Sequence, residues 1–169
     1  MSLFEIRRKT PGNNISRTYP NAAKRGLPLG AHASDVNASA IGTGATAGGS
    51  FLGFLTRDVQ VGGPTLDQRI FPLLELPFTA GGEVSLEKAE EIECEGSDYI
   101  VTTALATGVI DGTVAIGTQL SLNAAGLWYV KQATDKALGV LTGNSAVGSS
   151  TLVSEAGGIR IRVEVYRVA

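Results

Sequence analysis

Beyond residue 50, hydrophobic and polar positions mostly alternate with a period of two, the spacing of half-buried strands and not of helices. The C-terminal stretch is the clearest case: Ile159, Ile161, Val163 and Val165 alternate with Arg160, Arg162, Glu164 and Tyr166. Val114, Ile116, Thr118, Leu120 and Leu122 share one face of another predicted strand, opposite Ala115, Gly117, Gln119 and Ser121. Asn123-Ala124-Ala125-Gly126 then supplies turn residues and Leu127-Trp128-Tyr129-Val130-Lys131 returns, which predicts a hairpin with a four-residue loop. Shorter strands are expected near 52–61, 69–79, 98–105, 136–142 and 150–155, separated by glycine-containing turns. This rhythm predicts an all-β fold, a sandwich or a small β-barrel. The segment from Ser85 to Glu95 has two readings. Its composition allows a helix, whereas Val84 and Leu86, then Ile92 and Cys94, alternate as strand pieces. Two strand pieces around an irregular middle are the favoured expectation.

The first 50 residues lack that rhythm. Positions 33–50 read ASDVNASAIGTGATAGGS, small and polar without period, and only Phe4 and Tyr19 of the ten aromatic residues precede residue 51. So little apolar surface does not offset the entropy of ordering a chain. The expected division is an extended N-terminal arm, 1–50, and a compact, mainly β domain, 51–169. Charge sharpens this picture. Arg7, Arg8, Lys9, Arg17, Lys24 and Arg25 are six of the 14 basic residues, with Glu5 their only acidic neighbour. Between Glu83 and Asp98 the balance reverses, with seven acids against Lys88.

Composition mainly excludes. Glycine supplies 22 of 169 residues and charged residues 18%, which disfavours a helical bundle. The net charge of -2 gives no general case for nucleic-acid binding, and no run is long and apolar enough to cross a bilayer as a helix. The start has no apolar stretch after its charges, so no secretory signal is expected. The single cysteine rules out an internal disulfide or a zinc site built from several thiolates.

Candidate chemistry is sparse. His32 is the only histidine and has no evident nucleophile or orienting partner. Cys94 reads as a small buried hydrophobe, since Glu93 and Glu95 would oppose its ionisation. The acids of 83–98 lack the loop spacing that sets calcium geometry and read better as a solvated strand edge that deters aggregation. Gly42–Gly49 lacks the Lys-Ser/Thr ending of a phosphate loop. Asn14-Ile15-Ser16 and Asn37-Ala38-Ser39 are formal glycosylation sequons without a secretory context. No catalytic, cofactor-binding or metal-binding set is expected, and hence no enzyme.

The basic arm carries more weight. Pro11, Pro20 and Pro28 oppose a membrane-surface helix, and nucleic-acid binding would bring more charge and interleaved aromatics. An extended arm along a protein partner is the remaining reading, and fifty stretched residues reach roughly 160–180 Å. Arg7, Arg8, Lys9, Arg17, Lys24 and Arg25, with Phe4 and Tyr19 beside them, are expected to contact the partner, the charges meeting acidic surfaces so that binding weakens with salt. A salt-insensitive complex would shift the credit to apolar anchors such as Phe4, Ile15, Tyr19 and Leu27. The outward Arg160, Arg162, Glu164 and Tyr166 face either a sister subunit or water.

Two groups of motifs resemble a known family. Gly81-Gly82-Glu83-Val84-Ser85-Leu86 and Ile92-Glu93-Cys94-Glu95-Gly96-Ser97-Asp98-Tyr99-Ile100 precede Gly117-Thr118-Gln119-Leu120-Ser121-Leu122, Ala125-Gly126-Leu127-Trp128-Tyr129 and Ala137-Leu138-Gly139-Val140-Leu141. Together they resemble the capsid decoration, or cement, proteins of tailed bacteriophages over about residues 80–165. The resemblance implies a barrel with a tulip-like outline, assembling as trimers on the outside of a capsid. Its partners would be the major capsid protein and further copies of itself. It would be made in the host cytoplasm and end on the virion surface. A virion fibre, tail component or other module recognising a host surface is the alternative.

Overall fold

The computed structural model describes residues 3–31, 39–41, 51–70, 76–103, 105–145 and 159–166. In chain order the elements are β1 (Phe4–Thr18), β2 (Pro28–Ala31), β3 (Ser39–Ile41), β4 (Phe51–Leu55), β5 (Val59–Gln60) and α1 (Leu66–Ile70). There follow β6 (Phe78–Thr79), β7 (Glu83–Glu95), β8 (Gln119–Leu122), β9 (Trp128–Val130), β10 (Gly139–Asn144) and β11 (Arg160–Val165). Nine strands form one antiparallel sheet in the order β3-β2-β4-β7-β11-β10-β8-β9, with β1 added to β7. β5 and β6 make a separate parallel pair. The fold is all-β and barrel-like.

β7 organises it. One of its edges carries β1 from Thr18↔Glu83 to Phe4↔Cys94. The other edge is shared: β4 pairs at Glu87 and Leu86, and β11 pairs from Glu91 to Glu95. Between these two neighbours the β1 register slips, at Ile6/Arg8, Arg8/Lys9 and Lys9/Asn14. The irregular middle expected for 85–95 is therefore a set of bulges inside one continuous strand, and the helical reading is excluded. Bulges let one strand serve two differently oriented wings.

Two apolar cores lie against the sheet, and β4 enters both, with Leu55 in one and Phe51 and Phe54 in the other. Val84 and Leu86 pack with Tyr19, Leu29, Leu55 and Val59 under the β4-β2 side. Ile92 and Cys94 join Leu120, Leu122, Trp128, Leu141, Ile161 and Val163 under the β11-β10-β8-β9 side. That second wing curls back on itself. The chain leaving β7 returns beside β9, where Trp128 N–H donates to Tyr99 O at 2.8 Å and Val101 N–H to Trp128 O at 2.9 Å. The end of the sheet is thus covered by its own connection and does not offer an open edge.

The alternation at 159–165 appears as expected: Ile159, Ile161, Val163 and Val165 are buried while Arg160, Arg162 and Glu164 are exposed. The hairpin forms too, with Leu120↔Val130 and Leu122↔Trp128 in register. Asn123 stabilises its turn by accepting from the N–H groups of Ala125 and Leu127 at 2.9 and 3.0 Å. The predicted first strand is shorter than expected, because Ala115–Thr118 forms a turn and Ile116 is exposed. Gly139 follows from close approach: a Cβ there would lie 2.6 Å from Val163 Cγ1 and 2.9 Å from Glu164 O. Gly139→Ala is therefore expected to lower stability by about 1–3 kcal/mol, measured by denaturant unfolding, since neither contact has room to yield.

Other expectations need correction. The stretch 69–79 does not begin as a strand: Thr65 and Gln68 form a reciprocal capping box, Gln68 N–H to Thr65 Oγ1 and Thr65 N–H to Gln68 Oε1, and start α1. Residues 98–103 make turns and one bridge at Ile100, not a strand. The predicted strand at 150–155, His32 and Gly42–Gly49 lie outside the described residues.

The N-terminal segment is extended, as expected, but it lies along its own domain. Over residues 4–31 the separation into arm and domain does not hold. Phe4 is buried against Phe54 and Tyr99, with ring centroids 5.4 and 5.5 Å away. Its ring also lies over Gly26, whose φ of +85° and lack of a side chain allow a contact that any Cβ would block at 2.5 Å. Reasoning from composition missed this because the arm needs only a few apolar anchors when a finished sheet receives it.

Candidate contact surfaces

The basic residues of β1 and β11 flank the acids of β7, so the chain's two opposite charge runs face each other. Glu93 sits at the centre. Arg7 donates to Glu93 Oε2 from Nε at 3.1 Å and Nη2 at 2.8 Å, and Arg162 Nη2 reaches the same oxygen at 3.1 Å. Arg160 makes a paired contact with Glu95 Oε2 at 3.0 and 2.8 Å and approaches Glu93 Oε1 at 3.6 Å. Arg162 Nε lies 3.5 Å from Glu91. Further along, Arg8 pairs with Glu90 at 3.0 Å and Lys9 with Glu87 at 2.8 Å.

The Glu93 side chain is only 5% exposed. Burial pushes its carboxyl up, but hydrogen bonds and charge from Arg7 and Arg162 outweigh this and hold it below the ordinary value of 4.5. The same hydrogen bond raises Arg7. These acids are not a solvated edge, because β7 has neighbours on both sides. They tie the arginines of β1 and β11 to β7, and those arginines also offset the close approach of Glu5 to Glu93 and of Glu164 to Glu91 across the strands.

The residues expected to contact a partner are thereby located. Arg7, Arg8 and Lys9 pair within the chain, as do Arg160 and Arg162. Lys24 pairs with Asp98 at 2.7 Å. Arg25 uses its backbone: its N–H donates to Asp58 at 2.7 Å and its carbonyl accepts from Tyr99 at 2.9 Å. Arg17 Nη1 donates to Ser16 O at 3.0 Å. Phe4 and Tyr19 are buried, Ile15 and Leu27 half-buried. Glu164 is exposed and Tyr166 half-buried. The exposed Lys24–Asp98 pair is expected to contribute little: Lys24→Ala should change stability by less than about 1 kcal/mol in the same unfolding assay.

Lys24 and Asp98 stand beside a half-open cleft of about 240 Å³ that Tyr19, Leu27 and Tyr99 also line. Burial, helped by Asp98 and Asp58, pushes the Tyr99 phenol up to about 12, so it stays a donor to Arg25 O. The cleft is small and mainly apolar, and its charged groups are engaged with each other. Cys94 is buried and its thiol is pushed strongly up, first by burial and then by Glu93, which agrees with the reading of an inert core residue. Among the described residues no group of three or more histidine, cysteine or acidic side chains is arranged to hold a metal, and no helix is long and apolar enough to cross a membrane.

Sequence reasoning missed another surface. Val61, Leu66 and Ile70 are 80%, 72% and 58% exposed, and α1 buries none of its residues. The Thr65-x-x-Gln68 spacing was the available signal for that helix. Leu105 is almost fully exposed on the loop that follows β7. No protein-family model, no curated protein and no solved structure matches the chain.

Proposed function

We propose that this chain is a capsid decoration protein that binds the outside of a viral shell and stabilises it by bridging neighbouring capsomers. The observation that carries the proposal is how the resembling motifs are placed. The segments 81–86 and 92–100 form β7 and its exits, 117–122 forms β8, 125–129 the turn into β9, and 137–141 enters β10. All four strands belong to the same curled sheet. Degenerate motifs that build four strands of one sheet support a shared architecture more than the same motifs scattered would.

The bridging role fits the distribution of polar and apolar groups. Arg7, Arg8, Arg160 and Arg162 are paired internally, which leaves the loops to carry contact groups. A bridge acts by adding contacts that must break before capsomers separate. Several copies acting together raise the effective strength far beyond one contact. Shell binding is accordingly assigned to the exposed apolar groups of the loops, Val61, Leu105 and Ile116, and not to a basic arm, so it should weaken little with salt. The test is to prepare particles lacking the chain and compare their disruption temperature with particles to which purified protein is restored. The proposal expects earlier disruption without the protein and recovery on addition. Equal disruption temperatures would overturn it.

A further inference from the structure

The helix α1 combines two features found together nowhere else among the described residues. Its apolar pair, Leu66 and Ile70, one turn apart, is exposed, and its charged residues Asp67 and Arg69 are exposed without an ion pair to a described residue. Elsewhere Arg7, Arg8, Lys9, Arg160 and Arg162 all have acidic partners. With about 100° of rotation per residue, Asp67 stands about 80° to one side of the Leu66–Ile70 stripe and Arg69 about 80° to the other. The stripe therefore has an acidic flank and a basic flank.

We infer that α1 is the self-association surface, with copies related by rotation about an axis parallel to the helix. Under such a rotation the apolar stripes face the axis, and the Asp67 flank of each copy meets the Arg69 flank of the next. An antiparallel twofold arrangement would instead put Asp67 against Asp67 and Arg69 against Arg69. The stripe with its two flanks is thus complementary to a second copy of itself, and the charges select the direction in which the copies meet. The inference deepens the decoration reading and rests on it for preferring a second copy to a foreign partner. Burying two large aliphatic side chains per copy supplies the attraction, and the flanking charges supply orientation.

Light scattering on the full purified chain, with no shell present, tests this. The expected result is a mass that is a whole multiple of the monomer. Leu66→Glu with Ile70→Glu should raise the dissociation constant by at least about a hundredfold, given the apolar area lost. Near-ultraviolet circular dichroism should stay unchanged, because α1 buries nothing. Asp67→Arg should weaken assembly about threefold or more, and Asp67→Arg with Arg69→Asp should restore it. A monomeric wild-type chain up to about 100 μM, where even weak specific interfaces form, would overturn the inference. So would assembly that survives the double glutamate variant, or a charge swap that fails to restore it. Because no shell is in the assay, a monomer that still binds particles refutes this surface alone and leaves the decoration reading standing.

Discussion

Removing residues 1–18 will leave a chain that does not melt cooperatively. β1 covers an entire edge of β7, and its loss exposes that edge over both cores. Phe4 leaves a hole beside Phe54, Tyr99 and Gly26. Truncating a buried phenylalanine costs about 3–5 kcal/mol by itself, against a whole-domain stability of about 5–15 kcal/mol. The deletion also removes Arg7, Arg8 and Lys9 from Glu93, Glu90 and Glu87. Two readouts check the result: thermal unfolding followed by far-ultraviolet circular dichroism, and thiol labelling of Cys94. The intact protein should protect Cys94, and the truncated one should label quickly. Phe4→Ala provides a folded intermediate case, with a lowered melting temperature and partial protection. A truncated chain that melts sharply and shields Cys94 would show that the N-terminal segment is an appendage after all.

Replacing both Arg7 and Arg162 by alanine will lower the denaturation midpoint of the domain, because the enclosed Glu93 carboxylate then keeps only Arg160, 3.6 Å away, as a cationic neighbour. Acid should act on the same group. Glu93 titrates lower in the folded chain than its ordinary 4.5, so the unfolded chain takes up the proton first as pH drops. The stability it contributes is complete above about 4.5 and is lost as pH falls through the lower folded value. Glu5, Glu91, Glu95 and Arg160 share that face, yet Glu93 has the most enclosed carboxylate of the cluster. Denaturant unfolding between pH 6 and 3 should therefore show a decline that Glu93→Gln makes shallower. Some slope should persist, because hydrogen bonds from Thr113 hold Asp111 low and those from Tyr129 and Gln132 hold Asp135 low. An unchanged slope in Glu93→Gln would contradict the assignment of Glu93 as the centre of the ladder.

Alternation read in the sequence located β11 closely, because one face lies on the core and the other on water. The turn residues locate the β8–β9 hairpin, but its predicted first strand is too long, and Leu120, Ser121, Leu122, Trp128 and Tyr129 are all buried. β7 was harder: its inward residues change phase at Ala89, where its neighbour changes from β4 to β11. A periodicity test over one window averages across such a handover. The N-terminal segment was misjudged for a related reason. Composition weighs a segment by what it buries alone, whereas Phe4, Tyr19 and Leu29 gain their burial from a sheet assembled mostly from residues far along the chain. The two charge runs were visible, but their pairing was not, since only the fold brings Arg7 to Glu93. The contact surface was least legible. Leu66 and Ile70 look like core positions in sequence, and only their exposure on a helix with no buried side makes them the contacts proposed above.

Gradient sedimentation of the native source lysate, with this chain quantified against the major shell protein in every fraction, tests the proposed role most directly. Decoration predicts co-sedimentation with particles at an abundance comparable to the shell subunit, retained at high salt. A few copies per particle would point to a fibre or tail module, and a chain confined to the soluble fractions would contradict a place on the virion.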